Sequence, residues 1–176
     1  MTWTDPATWY AALPAFHAAA AALITDPAGR VLLVKPTYRD HWAFPGGYVE
    51  EGEYPHDACG REVREELGLA VPVGNLLVVE WAPPSGSRPR AIISFTFDGG
   101  EMASTDGISL PGQELEDVAF LSPGEAEQRL PANVAPRVRA AVRARALRAA
   151  TYLANGLPQQ TAQTRVDSDI SSKGGE

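Results

Sequence analysis

Residues 47–69 read GYVEEGEYPHDACGREVREELGL, and no other stretch constrains this chain as tightly. If Pro55 to Leu67 form one helix, Glu62, Glu65 and Glu66 stand at i, i+3 and i+4. Three carboxylates then share one face within a single turn. Like charges at that spacing repel, by about a few tenths of a kcal/mol per pair. A cation between them reverses the sign. Clustered hard oxygen donors suit Mg2+ or Mn2+, which keeps waters and shares its shell with substrate phosphates. A merely solvated charged helix would explain neither the glycines at both ends of the stretch nor the gathering of acids on one face.

The stretch resembles the Nudix box, the signature of the Nudix hydrolases. Gly47, Glu53, Arg61, Glu62, Val63, Glu65, Glu66, Gly68 and Leu69 fill its fixed positions, and a looser likeness extends over about residues 15–130. The resemblance implies an α/β fold in which a mixed sheet is sandwiched between helices. It also implies Mg2+- or Mn2+-dependent hydrolysis of a pyrophosphate bond in a nucleoside diphosphate linked to another moiety. By the same resemblance Glu65 and Glu66 bind metal, as does the main-chain carbonyl of Gly46. Glu62 corresponds to a residue that is a ligand in some members and a base in others, and both roles carry over. Arg61 orients the glutamates and Glu53 pairs with it. The implied catalytic set is therefore Glu62, Glu65, Glu66 and Arg61. An additional acid from a loop beyond the box is expected, with Glu114 preferred over Glu116 and Asp106.

The rest of the chain alternates short apolar runs with turns. Ala15 to Thr25 reads as a strand, the DPAG turn follows at Asp26 to Gly29, and Arg30 to Val34 reads as a second strand. Residues 36–45 form a loop, and Pro45-Gly46-Gly47 permits a sharp entry into the box. Val71 to Trp81 and Ala91 to Phe97 are strands, the first alternating poorly as if buried on both faces. Loops fill 82–90 and 98–112, and Glu116 to Leu121 is a last strand. Ser122-Pro-Gly-Glu125 has capping-box spacing and opens a helix to about Leu130. A final arginine-rich helix spans 134–155, capped by Asn133, with Gly156 past its end. Its stripe of Val134, Val138, Ala141, Val142, Ala149, Tyr152 and Leu153 would dock on the domain. A short helix starts near Asp5, with Pro6 in its first turn, and Trp3, Trp9 and Tyr10 are expected to pack on the domain. Residues 1–156 are read as one domain and 157–176 as a disordered tail.

Charge and composition narrow the function. The net charge is −7, so the chain is a poor general binder of nucleic-acid backbone, and a small nucleotide derivative is the expected partner. A single cysteine, Cys59, excludes an intrachain disulfide and is read as a packing residue. No basic residue precedes Arg30, and the apolar run Ala18 to Ile24 is too short to span a bilayer, so a cytoplasmic monomer or homodimer away from membranes is expected. For substrate binding, Trp42 could stack on a base, and Arg39 and Arg88 could hold a distal phosphate. The leading substrate is a nucleoside triphosphate, in a housecleaning role. ADP-ribose or another ADP-sugar is the alternative, for which Pro84, 15 residues past Leu69, is a weak signal. A nucleotide-sensing module and a prenyl diphosphate isomerase are lesser readings. The intact box argues against the first, and the want of extra catalytic residues argues against the second.

Overall fold

A computed structural model describes residues 3–110 and 112–159. In chain order the elements are α1 (Pro6–Ala11), β1 (His17–Thr25), β2 (Val31–Pro36), β3 (Gly46–Tyr48), α2 (Pro55–Leu67), β4 (Leu76–Ala82) and β5 (Ile92–Glu101). Then come β6 (Leu115–Leu121), α3 (Pro123–Arg129), α4 (Pro136–Leu147), β7 (Thr151–Ala154) and β8 (Leu157–Pro158). The strands make one mixed sheet in the order β6-β2-β1-β5-β4-β7-β8, with β3 also paired to β1. β1 runs parallel to β5 and β4 parallel to β7, while the other neighbours are antiparallel.

The two-residue strand period builds two apolar layers. On β2, Leu32 and Val34 pack towards Ala58, Cys59, Val63 and Leu67 of α2. Val31 and Leu33, from the other face, pack with Ala126, Leu130, Val138, Ala141 and Ala144 of α3 and α4. Ala20, Ala22 and Ile24 join the first layer and Leu23 the second. This is the expected sheet between helices. The Ser122–Glu125 capping box forms as its spacing predicts, with both reciprocal hydrogen bonds present. Asp5 caps α1 through a bond from Thr8 N–H at 3.1 Å.

Four expectations need correction. The final helix does not reach residue 155: α4 stops at Leu147 and Arg148 turns left-handed at φ 52°. The chain then enters β7, and Asn155-Gly156, with φ of 51° and 79°, makes the two-residue turn into β8. Positive φ at both turn residues is what the right-handed twist of a hairpin demands, and Asn-Gly supplies it. The stripe breaks accordingly: Val138, Ala141 and Leu153 are buried, but Val142, Ala149 and Tyr152 are exposed. Second, the helix is capped at Ala135 and not by Asn133. Third, Gly46–Tyr48, for which only a sharp entry into the box is expected, form a strand. Fourth, Trp3, Trp9 and Tyr10 do not pack on the domain, being 84%, 51% and 67% exposed, and α1 buries no residue. Of the expected tail, Leu157–Pro158 is strand and 160–176 lie outside the described residues. β4 is only partly buried on both faces, with Trp81 still 36% exposed. Among the described residues no helix is long and apolar enough to cross a membrane.

Candidate active site

Close approach of backbone to side chain sets the site. β3 passes β1 so tightly that a Cβ on Gly46 (φ 145°) would overlap the Ala20 carbonyl and Ala21. A Cβ on Gly47 would overlap the Glu62 carboxylate. Two glycines therefore let the strand run against the acidic face of α2. Gly46 N–H donates to Glu66 Oε2 at 2.7 Å.

Arg61 organises the other acids. Its Nε and Nη2 donate to the two oxygens of Glu53 at 2.9 and 3.0 Å. Nη1 donates to Glu62 at 2.9 Å and Glu65 at 3.1 Å, and Nη2 also reaches the Tyr48 carbonyl at 3.1 Å. The forked guanidinium suits this many acceptors in one plane. Arg61, helped by the Glu50 N–H, holds the Glu53 carboxyl below its usual range. Glu53, Arg61, Glu62 and Glu65 thus form one network.

Burial pushes the Glu66 carboxyl up to about 8, and the nearby charges of Glu62 and Glu114 add to the rise. The Gly46 N–H and Arg39 pull the other way and do not offset it. Glu62 is also raised, first by burial, then by Glu65 and Glu53, against the pull of Arg61. Cys59, buried beneath this helix, has its thiol pushed up to about 12 and is a packing residue, not a nucleophile.

A groove of about 540 Å³ opens beside Glu62 and Glu66. Gly46, Gly47, Arg39, Trp42, Arg88 and Glu114 line it too. Of the downstream acids, Glu114 lies on the groove. Glu116 pairs with Lys35 at 3.0 Å and Asp106 bonds Ser104, both away from it. Glu65 is 57% exposed, turned to Arg61 and outside the groove lining. Trp42 sits in the core at 7% exposure with the Arg129 guanidinium 5.7 Å from its ring centre, so only part of the ring meets the groove. Arg88 spends Nη2 on the Pro83 carbonyl at 2.8 Å, bracing its own loop. Arg39 is exposed over Tyr38, which also lines the groove. Sequence reasoning placed none of Tyr38, Glu80, Ser94, Asn133 and Arg137 at the site, and all of them stand on the groove wall. An acid inside the apolar run LLVVEWA was the one available signal for Glu80.

The donors are hard oxygens, and Glu66 is a part-buried acid short of positive charge, so in kind these residues fit a divalent cation. Among the described residues no three acids, histidines or cysteines are drawn into one metal shell. Arg61 holds Glu62 and Glu65, and the Gly46 N–H holds Glu66.

A family model described as NUDIX domain matches residues 15–144. The chain belongs to the Nudix family. With that membership goes hydrolysis at pyrophosphate bonds, and Nudix hydrolases generally use divalent metal ions. A MutT-like protein of Streptomyces ambofaciens is 28% identical over 117 residues, 66% of this chain and 71% of that protein. An ADP-ribose pyrophosphatase of Methanocaldococcus jannaschii is 37% identical over 89 residues, 47% of this chain. Those residues span about half of that enzyme, 53% of its length. The crystal structure of a MutT protein from Methanosarcina mazei Go1 shares the fold, with TM-score 0.63 and 23% identity, over 75% of this chain and 96% of that one.

Proposed function

We propose that this Nudix protein is a Mg2+-dependent pyrophosphatase acting on a nucleoside diphosphate linked to another moiety, with a nucleoside triphosphate as the leading substrate. The observation that carries the reading is one groove joining an acid end, at Glu62, Glu66 and Glu114, to a wall with aromatic and polar side chains. A substrate with phosphates at one end and a ring system at the other fits such a groove. Water adds to phosphorus and the bridging oxygen leaves, so a triphosphate gives the monophosphate and pyrophosphate.

A divalent ion, held by Glu62, Glu66 and the Gly46 carbonyl with Glu114 from the facing loop, and by Glu65 if its carboxylate swings from Arg61 to the groove, would supply neutralising charge and a more acidic water. The protein's own groups do the rest. The Gly46 N–H fixes the Glu66 carboxylate. Arg61 orients Glu62 and Glu65. Glu62, with its proton affinity raised by burial, is placed either to ligate or to take the water's proton. Arg39, making no ion pair among the described residues, is available to a phosphate. The ADP-ribose alternative draws on the Methanocaldococcus relative, but Pro84 is exposed and off the groove, so it adds nothing to that reading.

The test is phosphate release, through a coupled phosphatase, from nucleoside triphosphates, oxidised deoxynucleotides, ADP-ribose, other nucleotide sugars and dinucleoside polyphosphates. Release from triphosphates with Mg2+, abolished by EDTA and by Glu66→Gln, is the expected result. Turnover that persists in both Glu65→Gln and Glu66→Gln would sink the site assignment.

A further inference from the structure

On the α4 side of the groove lies an ion pair that the box chemistry does not use. Glu80, 2% exposed in the middle of β4, accepts the Gly156 N–H at 2.8 Å through Oε1. Its Oε2 accepts from Arg137 Nε at 3.0 Å and from Arg137 Nη2. Ser94 faces Glu80 in cross-strand register, and all three residues line the groove. A buried ion pair is a weak stabiliser, and apolar replacements are often neutral or better. Its place on the groove wall calls for a second reason. Arg137 is 12% exposed, and neither its Nη1 nor Ser94 Oγ has a partner among the described residues or is sealed from solvent. Both residues line the groove.

The chemistry of these groups restricts what they can receive. An arginine donates and never accepts. Glu80 matches its charge, so a phosphate here would meet a pair with no net charge and a carboxylate close by. A neutral acceptor would meet no such repulsion. The strand order separates this pair from the acid end. Gly46 on β3 and Glu80 on β4 have β1 and β5 between them. Three strand spacings make roughly 14 Å. With phosphates at the acid end, the part of a nucleotide that reaches Arg137 is the base.

We propose that Arg137, oriented by Glu80 with Ser94 beside it, selects bases bearing a carbonyl oxygen where adenine and cytosine carry an amino group. The inference rests on the nucleotide reading above. An amino group facing Arg137 Nη1 would set donor against donor, a mismatch that discriminates by about 10- to 100-fold in a half-open site.

The experiment compares kcat/KM for ITP against ATP and for UTP against CTP, each pair differing at that position. Equilibrium binding of IMP and AMP in EDTA is measured alongside. Both are repeated in Glu80→Gln/Arg137→Met, which keeps an acceptor for the Gly156 N–H and leaves no buried charge unpaired. Circular dichroism establishes that the variant folds; if it does not, Ser94→Ala and Arg137→Lys take its place. The expected result is a preference of about ten-fold or more for the carbonyl base in turnover and in binding, reduced in the folded variants. Equal kcat/KM within the pairs, equal or undetectable binding of IMP and AMP, or a preference untouched in a folded variant would overturn it. If no triphosphate is hydrolysed but IMP still binds over AMP through Arg137, the hydrolysis reading falls and the base-selecting role stands.

Discussion

The two helices that cover opposite faces of the sheet, α2 with 13 residues and α4 with 12, are both rich in charge and use it oppositely. On α2, Arg61 gathers glutamates from its own helix and the turn before it, and the acids are left crowded beside a groove. On α4 the arginines reach into the sheet. Arg137 meets Glu80, and Arg145 bonds both oxygens of Asp98, the Thr25 hydroxyl at 2.8 Å and the Leu23 carbonyl at 2.6 Å. Charge on α2 is left short of a partner that a ligand can supply; Arg137 and Arg145 on α4 are paired within the fold. Substitutions should therefore separate, with α2 acids costing activity and Arg145 costing stability.

The sharpest version of that contrast is Glu66→Gln. It should lower kcat/KM by about 10³-fold, because a neutral amide can neither neutralise nor hold a cation as a carboxylate does. The metal-free melting temperature should hold or rise, since a carboxyl pushed up to about 8 is a burden on the empty fold. A fall in stability with activity kept would reverse the roles assigned to the two helices. Arg145→Met is the converse. It leaves the Leu23 carbonyl without this donor and Asp98 with the Gly100 N–H alone in a part-buried site, so the loss should be about 2 kcal/mol. In a chain of this size that is a drop of about 4–8 °C in melting temperature, with kcat/KM near the parent value. Calorimetry and steady-state kinetics on the same preparation decide it.

A pH series sharpens the α2 half. The folded state raises the Glu66 proton affinity above the ordinary carboxyl value of 4.5. Between about 4.5 and 8 the folded protein holds a proton that the unfolded chain releases, so the stability it contributes is full at the acid end and lost as pH rises. Glu62 is shifted in the same direction, whereas Glu53, held low, loses its contribution below that window. The EDTA-treated protein should therefore lose on the order of 3 kcal/mol between pH 5 and 8. Added Mg2+ should restore the loss at pH 8, and Glu66→Gln should flatten the slope. A metal-free melting temperature that does not move across this range would refute the crowding argument.

The same contrast governs what could be read before the fold was known. The α2 acids were legible because a helix places i, i+3 and i+4 on one face whatever surrounds it, and the Ser122–Glu125 cap was legible for the same local reason. Glu80 and Arg137 stand 57 residues apart, and only the packing of α4 on β4 makes them neighbours. Arg145 and Asp98 are 47 apart. β3 is three residues long and exists because Gly46 and Gly47 tolerate contact with β1 and Glu62, which no periodicity reveals. The exposed Trp9 and Tyr10 follow the same lesson: an aromatic residue is expected inside, but α1 makes too little contact with the domain to bury them.

The C-terminal segment departs from its helical sequence pattern for a different reason, and it yields the smallest test. Alanine and arginine are good helix formers, so the run to residue 155 scores as helix on propensity alone. Sheet pairing wins because Thr151–Ala154 can add to β4 in parallel register and Asn155-Gly156 can reverse the chain. Asn155 stands at φ 51°, a conformation asparagine tolerates better than alanine does. Asn155→Ala should therefore cost about 1 kcal/mol, near the limit of what a melting curve resolves, and leave catalysis untouched. Gly156→Ala should cost more, since its Cβ would crowd the Asn133 carbonyl, and it would also disturb the N–H that holds Glu80. If Asn155→Ala instead stabilised the protein, the helix would be continuing past Leu147 in solution. α4 would then be longer than its packing shows, and the arginine pairs that distinguish it from α2 would need to be drawn again.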